Sequence, residues 1–177
     1  MVKTSYVLML AARLKARAAV KWIREHMSDG RKVIVFCTHK SMLDVMVRRV
    51  APGQAVYIDG SVPSGKRHGI VEQFQTDPDT KVFVGNVQSS GAGITLTAAK
   101  STIMAELPWT PAAVRQSSNR SYRLGQKDET DLIFLVARGT IEEKIARILQ
   151  RKAEVASAIL DGKGTADLPI MDMLKEL

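Results

Sequence analysis

Five short runs of apolar, mostly β-branched residues constrain the fold more than any other feature of this sequence. They do not alternate apolar with polar residues, so each predicts a strand that is buried on both faces, as in parallel sheets. Helical patterns separate them at about 41–50, 65–76 and 111–124. This alternation predicts an α/β fold, with helices on both faces of a parallel sheet. The runs are Val33–Cys37, Val56–Ile58, Val82–Val84, Thr102–Ala105 and Leu132–Val136.

Two more helices flank these runs. Residues 8 to 28 carry an apolar stripe and a separate basic stripe, which predicts an amphipathic helix. Thr140–Glu143 fits a capping box, and the helix that it opens carries Ile141, Ile145 and Ile148 at near-heptad spacing. Docking on the sheet is the favoured role of that helix, and a surface for a partner helix is the alternative. We therefore expect an N-terminal helix over 1–29, an α/β core over 30–138, and a C-terminal helix with a short tail over 139–177.

Positive charge is concentrated in two parts of the chain. The formal net charge is +8; residues 1–50 hold 11 Lys and Arg against 3 Asp and Glu, and residues 100–127 hold 5 against 1. This distribution favours a polyanionic partner, although a basic protein without one is the simpler alternative. Cys37 is the single cysteine, which is typical of a reducing, intracellular compartment. No apolar run approaches membrane-span length, so no membrane partner is expected.

Parallel α/β sheets bind ligands at the carboxyl ends of their strands. Here the corresponding loops begin at Thr38, Asp59, Gly85 and Glu106. His39 and Lys40 follow the first strand and could contact a phosphate, with a solvated turn as the alternative.

The segment Gly60–Arg67 matches the phosphate-binding loop pattern at seven of its eight positions. The eighth residue should be Ser or Thr, whose hydroxyl binds Mg²⁺, and here it is Arg67. Pro63 also removes one backbone donor from the loop. We therefore do not expect nucleotide hydrolysis from this loop, although Lys66 and Arg67 remain plausible phosphate contacts.

Two other loops have a functional and a structural interpretation. The small residues of Ser89–Gly93 would let backbone N–H groups approach a phosphate or ribose, or would simply make a tight turn. Trp109 stands in the Leu107–Pro111 loop, where it could stack on nucleic acid if exposed, or belong to the core.

The helix expected after Thr110 carries a candidate anion clamp. Thr110 is a suitable N-cap, and Gln116, Arg120 and Arg123 are spaced at i, i+4 and i+7, so they share one face. Two guanidinium groups on one face can bind phosphate oxygens. A solvated polar face is the alternative.

Taken in order, these segments resemble the second RecA-like lobe of a superfamily-two helicase motor, in the branch of the Swi/Snf-like DNA translocases. The resemblance covers about residues 30–150, and the His39-Lys40 pair and the Ala105–Pro111 run are most similar to the annealing helicases, which remodel forked DNA. The matching segments are Val33–Lys40 with Leu43-Asp44, Ile58–Ser61, Gln73–Gln75, Gly91–Thr97, Ala105–Pro111, Gln116–Gln126 and Ala137–Ile145.

The resemblance implies that ATP lies between two lobes, with ATP and Mg²⁺ held mainly by an N-terminal RecA-like lobe that this chain lacks. Arg120 and Arg123 would be arginine fingers, Gln116 would position the site, and Gly91 and Gly93 would lie beside the nucleotide. The resemblance also implies contacts with the backbone of double-stranded or forked DNA. Those DNA contacts would be Thr38, His39, Lys40, Ser61, Lys66, Gln88, Ser89 and Trp109.

These implications lead to one main hypothesis. We expect the C-terminal motor lobe of an ATP-dependent DNA translocase, which would be one part of a longer protein or one half of a split motor and would be inactive alone. The alternatives are a stand-alone nucleic-acid-binding module without catalysis and a lobe of an RNA helicase.

Overall fold

The computed structural model of the protein contains one parallel sheet with helices on both faces. It describes residues 2–27, 30–87, 94–108, 110–118 and 131–161. Within these ranges the chain forms five helices and five strands, which alternate except that the third and fourth strands follow one another in the described order. The helices are α1 (Val2–His26), α2 (Lys40–Arg49), α3 (Ser64–Thr76), α4 (Pro111–Ser118) and α5 (Ile141–Asp161). The strands are β1 (Val33–Cys37), β2 (Ala55–Ile58), β3 (Val82–Asn86), β4 (Ser101–Met104) and β5 (Asp131–Phe134).

The strand order is β2-β3-β1-β4-β5, and each neighbouring pair is parallel. The register places Val33 of β1 opposite Val82 of β3 and Ser101 of β4. This topology confirms the predicted parallel α/β fold. The five predicted strand positions are also confirmed: β1 has the predicted boundaries, and those of the other strands differ by at most two residues.

Strand β1 lies at the centre of the sheet and divides the core into two layers. Alternate side chains point to opposite faces, so Ile34 and Phe36 join one hydrophobic cluster, and Val33 and Val35 join the other. All five residues of β1 are at most 1% exposed. This burial explains why the strand sequences lack polar alternation.

The two clusters show which helices cover which face. The first cluster includes Phe74 of α3, Val114 of α4 and Leu149 of α5. The second includes Ile23 of α1 and Met46 of α2. The expectation that helices flank the sheet on both sides is therefore confirmed.

Helix α1 follows the predicted amphipathic pattern. Its apolar stripe is buried, apart from a half-buried residue at the end, Met27. The residues of its basic stripe are exposed. The stripes are Ala12, Ala16, Ala19, Ile23 and Met27 on one side, and Arg13, Arg17, Lys21 and Arg24 on the other.

Helix α5 differs from the prediction in two details. Ile148 was expected on the docking face, but it is 51% exposed, while Leu149 is buried. The cap is also displaced by one residue: Thr140 Oγ1 accepts the N–H of Glu142, and Glu143 Oε1 accepts the N–H of Gly139. The buried stripe of α5 runs through Glu142, Ala146, Leu149 and Ala153, and Ile148 lies to one side of it, above the half-buried Ile141.

Among the described residues, no helix combines the length and apolar character that a membrane span requires.

Candidate nucleic-acid interface

The carboxyl ends of the five strands lie at one edge of the sheet, because all the strands are parallel. Polar residues stand at the start of the loops after β1, β2 and β4: Thr38 and Asp59 directly follow their strands, and Glu106 is the second residue after β4. β3 lies between β1 and β2, and β4 is the neighbour of β1 on the other side. The fold thus brings these loops to the edge where parallel sheets bind ligands.

Glu106 is a buried carboxylate that holds the turn between β1 and α2. It is 3% exposed. Its Oε2 accepts the backbone N–H groups of Thr38 and His39, each at 2.9 Å, and its Oε1 lies 2.6 Å from His39 Nδ1. A buried carboxylate is costly unless it is hydrogen-bonded, and these three contacts meet that requirement. Glu106 therefore links the end of β4 to the turn that carries two predicted DNA contacts.

Asp59 holds the loop after β2 and pairs with the third predicted contact in this region, Lys40. Lys40 Nζ lies 2.6 Å from Asp59 Oδ2, and Ser61 donates to Asp59 Oδ1 through its backbone N–H and its hydroxyl. Hydrogen bonds from Lys40 and then from Ser61 lower the pKa of Asp59 to about 2. The same carboxylate raises the pKa of Lys40. Lys40 remains 67% exposed, so its ammonium group is accessible to an anion from solvent.

Strand β3 is tied to the same turn. Asn86 Nδ2 donates to the Thr38 carbonyl at 2.8 Å, and the N–H of Val87 donates to the Cys37 carbonyl at 3.0 Å. Thr38 Oγ1 is buried, and within the described part of the chain it has no hydrogen-bond partner. Cys37 is a buried thiol whose pKa is raised well above its ordinary value, first by burial and then by Glu106. A raised pKa disfavours the thiolate, which is the form of cysteine that acts as a nucleophile.

The Gly60–Arg67 segment does not have the arrangement of a phosphate cradle. The backbone N–H of Ser61, which a nucleotide phosphate loop would need as a donor, already donates to Asp59 Oδ1. Arg67 Nε donates to the Val62 carbonyl at 3.1 Å, back into its own loop. The described contacts of this segment are therefore those of a structural turn.

A buried ion pair lies close to this edge. Lys15 Nζ is 2.7 Å from Glu142 Oε1 and also donates to the Leu135 carbonyl, while Glu142 Oε2 accepts the N–H of Ala137 at 2.8 Å. Burial lowers the pKa of Lys15, and Glu142 and Glu106 oppose that shift. The pair joins α1, the segment after β5, and the first turn of α5.

The structure brings Thr38, His39, Lys40 and Ser61 together at this edge. Lys66 is exposed in the first turn of α3, and Gln116 is exposed on α4. The N–H of Ala113 donates to Thr110 Oγ1 at 3.2 Å, which confirms the predicted N-cap. The remaining predicted site residues lie outside the described residues. These are Gln88, Ser89, Gly91, Gly93, Trp109, Arg120 and Arg123.

Sequence reasoning missed the side chains that hold the site together. Asp59 and Glu106 were identified only as the first residues of loops, although an acidic residue directly after a buried strand is a signal for such a role. Lys15 lies at a position of α1 between residues of the buried face, and a basic residue on that face indicates a buried partner. Nothing in the sequence identified Glu142 as that partner.

Comparison with known proteins gives a consistent family. Residues 15–125 match the model of the helicase conserved C-terminal domain. The chain is 40% identical over 138 residues to the DNA annealing helicase and endonuclease ZRANB3 of Mus musculus, covering 77% of this chain and 13% of that protein. It is 32% identical over 140 residues to the TATA-binding protein-associated factor 172 of Homo sapiens, covering 76% of this chain and 8% of that protein.

A solved structure supports the same fold. The crystal structure of the C-terminal part of the Fun30 ATPase domain superposes with a TM-score of 0.68 at 25% identity, covering 87% of this chain and 46% of that one. These findings confirm the resemblance to the Swi/Snf-like branch and to the annealing helicases. This chain spans only 8–13% of the two relatives named above.

Proposed function

Because this chain belongs to the helicase conserved C-terminal domain family, we propose that it is the C-terminal motor lobe of an ATP-dependent DNA translocase. The observation that carries this proposal is the convergence at one edge of the sheet. There the loops after β1, β2 and β4, which hold family motif segments, are joined by hydrogen bonds that the carboxylates of Glu106 and Asp59 accept. Such an edge is where an α/β lobe engages its ligands.

In this proposal Arg120 and Arg123 act on ATP that is held, with Mg²⁺, mainly by an N-terminal RecA-like lobe. Phosphoryl transfer depends mostly on stabilising charge, and an arginine finger is worth about 10³–10⁵ in rate. Gln116 helps to position the site, and Gly91 and Gly93 lie beside the nucleotide. The exposure of Gln116 on α4 supports this role, because its side chain is accessible to a molecule outside the lobe.

In the same proposal the lobe binds the sugar-phosphate backbone of double-stranded or forked DNA. Lys40 and Lys66 expose ammonium groups, and the turn at Thr38 and His39 is held in place by Glu106. Contacts with phosphates position a protein without reading the sequence. The proposed DNA-binding surface also includes Ser61, Gln88, Ser89 and Trp109. Trp109 would stack on DNA rather than fill the core.

This chain should not hydrolyse ATP by itself. The only phosphate-loop pattern in the sequence is Gly60–Arg67, and its described contacts fit a turn in which Asp59 accepts from Ser61. We therefore expect hydrolysis to require the N-terminal lobe, which would supply the nucleotide and magnesium sites.

The test is a steady-state ATPase assay on the lone chain and on a protein that joins it to its N-terminal lobe, each with saturating DNA. The lone chain should show no turnover above buffer, and the joined protein should show turnover that duplex or forked DNA stimulates. Robust hydrolysis by the lone chain would contradict the proposal. DNA binding without any hydrolysis by the joined protein would favour the non-catalytic binding module, and stimulation by RNA alone would favour an RNA helicase.

A further inference from the structure

Glu106 determines which nitrogen of His39 carries a proton. Oε2 of Glu106 accepts two backbone N–H groups, which can only donate, and Oε1 faces His39 Nδ1 at 2.6 Å. A carboxylate oxygen in this position accepts, so the ring proton lies on Nδ1. The hydrogen bonds from the two backbone N–H groups hold the turn in place, and the hydrogen bond from the imidazole orients the ring. Glu106 therefore positions both the turn and the side chain of His39.

The other ring nitrogen is placed for a ligand. Among the described residues, Nε2 of His39 has no hydrogen-bond partner, and the side chain keeps 21% of its surface exposed. In a neutral ring with its proton on Nδ1, Nε2 is an acceptor. A phosphate oxygen is also an acceptor, so the two repel each other unless Nε2 gains a proton.

Two buried carboxylates and one buried ammonium group lie near the turn. His39 and Glu106 line a small cavity together with Glu142. The ammonium group of Lys15 interacts with both carboxylates, so Lys15, Glu142 and Glu106 together leave one negative charge uncompensated. On the other side, Lys40 of α2 and Asp59 after β2 neutralise each other. A positively charged His39 would balance the net negative charge of Lys15, Glu142 and Glu106.

We propose that His39, positioned by Glu106, is a phosphate contact that takes up one proton from solvent when the DNA backbone binds. This inference rests on the proposed DNA-binding function. The imidazolium would donate from Nδ1 to Glu106 and from Nε2 to a phosphate oxygen, which are charge-assisted hydrogen bonds. Glu106 is a positioning residue, since it acts on the DNA only through His39 and the turn.

The first experiment measures proton uptake on binding of a duplex oligonucleotide to this chain, by calorimetry in buffers of different ionisation enthalpy. Wild type should take up about one proton more than His39→Gln near neutral pH, where free histidine is mostly neutral. Its affinity should fall several-fold between about pH 6 and pH 8, and the fall should be at most about tenfold per pH unit for one linked proton. His68→Gln changes an exposed histidine of α3 and should behave like wild type.

The second experiment observes the ring directly. The ¹⁵N spectrum of His39 should show the Nδ1–H form in the free protein and the doubly protonated form after DNA is added. Glu106→Gln has a single carbonyl oxygen and cannot accept from both the backbone and the ring, so it should lose most of the extra uptake. Glu72→Gln, on exposed α3 surface, is the matched control.

The outcomes separate the two proposals. If wild type fails to bind DNA at every pH, the proposed function fails. If wild type binds but His39→Gln takes up the same number of protons, or if the ring spectrum does not change on binding, the inference about His39 is overturned and DNA binding stands. The ring spectrum of wild type decides the matter even if Glu106→Gln does not fold.

Discussion

Replacing Glu142 with alanine should cost about 3–5 kcal/mol of the free energy of unfolding. The side chain of Glu142 is 2% exposed and that of Lys15 is 8% exposed, with 2.7 Å between their charged atoms. Glu142→Ala leaves the buried ammonium without its carboxylate, and removing one partner of a buried pair typically costs this amount. It also leaves the N–H of Ala137 without the acceptor that Glu142 Oε2 provides.

Urea denaturation of this chain, followed by circular dichroism, measures the effect. For a domain of this size the loss corresponds to a fall in melting temperature on the order of 10 °C. The matched control is Glu25→Ala, which removes an exposed pair with Lys21 on α1, where the side chains are 63% and 79% exposed at 3.8 Å. That change should stay within about 0.5 kcal/mol of wild type, because exposed pairs contribute little.

A double replacement tests the reasoning further. Lys15→Met combined with Glu142→Leu removes both charges together, so it should recover most of the stability that Glu142→Ala loses. A loss below about 1 kcal/mol for Glu142→Ala would show that water reaches the pair. A double variant no more stable than Glu142→Ala would show that the loss comes from packing and not from the uncompensated charge of Lys15.

Two further predictions concern charge. The lowered pKa of Asp59, about 2, means that this carboxylate stabilises the folded state above its unfolded pKa near 4 and that the contribution is lost as pH falls through about 2. The shift corresponds to at most about 2.5 kcal/mol, and solvent around the exposed Lys40 reduces it to about 1. Asp59→Asn should therefore lose about 1 kcal/mol of the free energy of unfolding at neutral pH. It should also flatten the acid limb of stability measured by urea denaturation between about pH 2 and 5. The affinity for duplex DNA, measured by fluorescence anisotropy, should fall steeply as the salt concentration rises and should not depend on the DNA sequence. Equal affinity at about 50 and 200 mM salt would contradict binding through the DNA phosphates.

The sequence predicted the sheet well because β1 and its neighbours are buried on both faces, and such burial leaves an unambiguous apolar pattern. It predicted α5 less well, since an apolar residue such as Ile148 can lie on the exposed side without leaving any trace in composition. The Thr110 cap was predictable because it depends on residues three apart in sequence.

The contacts that hold the candidate site could not be predicted in the same way. Glu106 reaches a turn 67 residues earlier in the chain, and Lys15 reaches Glu142 across 127 residues. Such partners depend on the strand order, which places β4 beside β1, and not on any local pattern. The sequence indicated the edge at which ligands bind, while the carboxylates that organise that edge became evident only in three dimensions.

ATP turnover by arginine variants of the joined two-lobe protein, with saturating DNA, tests the central claim most directly. Arg120→Ala or Arg123→Ala should reduce turnover by roughly a thousandfold or more, with much less change in nucleotide affinity, because a transition-state contact strengthens as charge develops. Lysine at either position should not restore activity, since an ammonium group cannot reproduce the guanidinium fork. Arg48→Ala, an exposed residue in the last turn of α2, should leave turnover unchanged. Full turnover in both arginine variants would contradict the account and would favour the alternative that these residues are only solvated polar side chains.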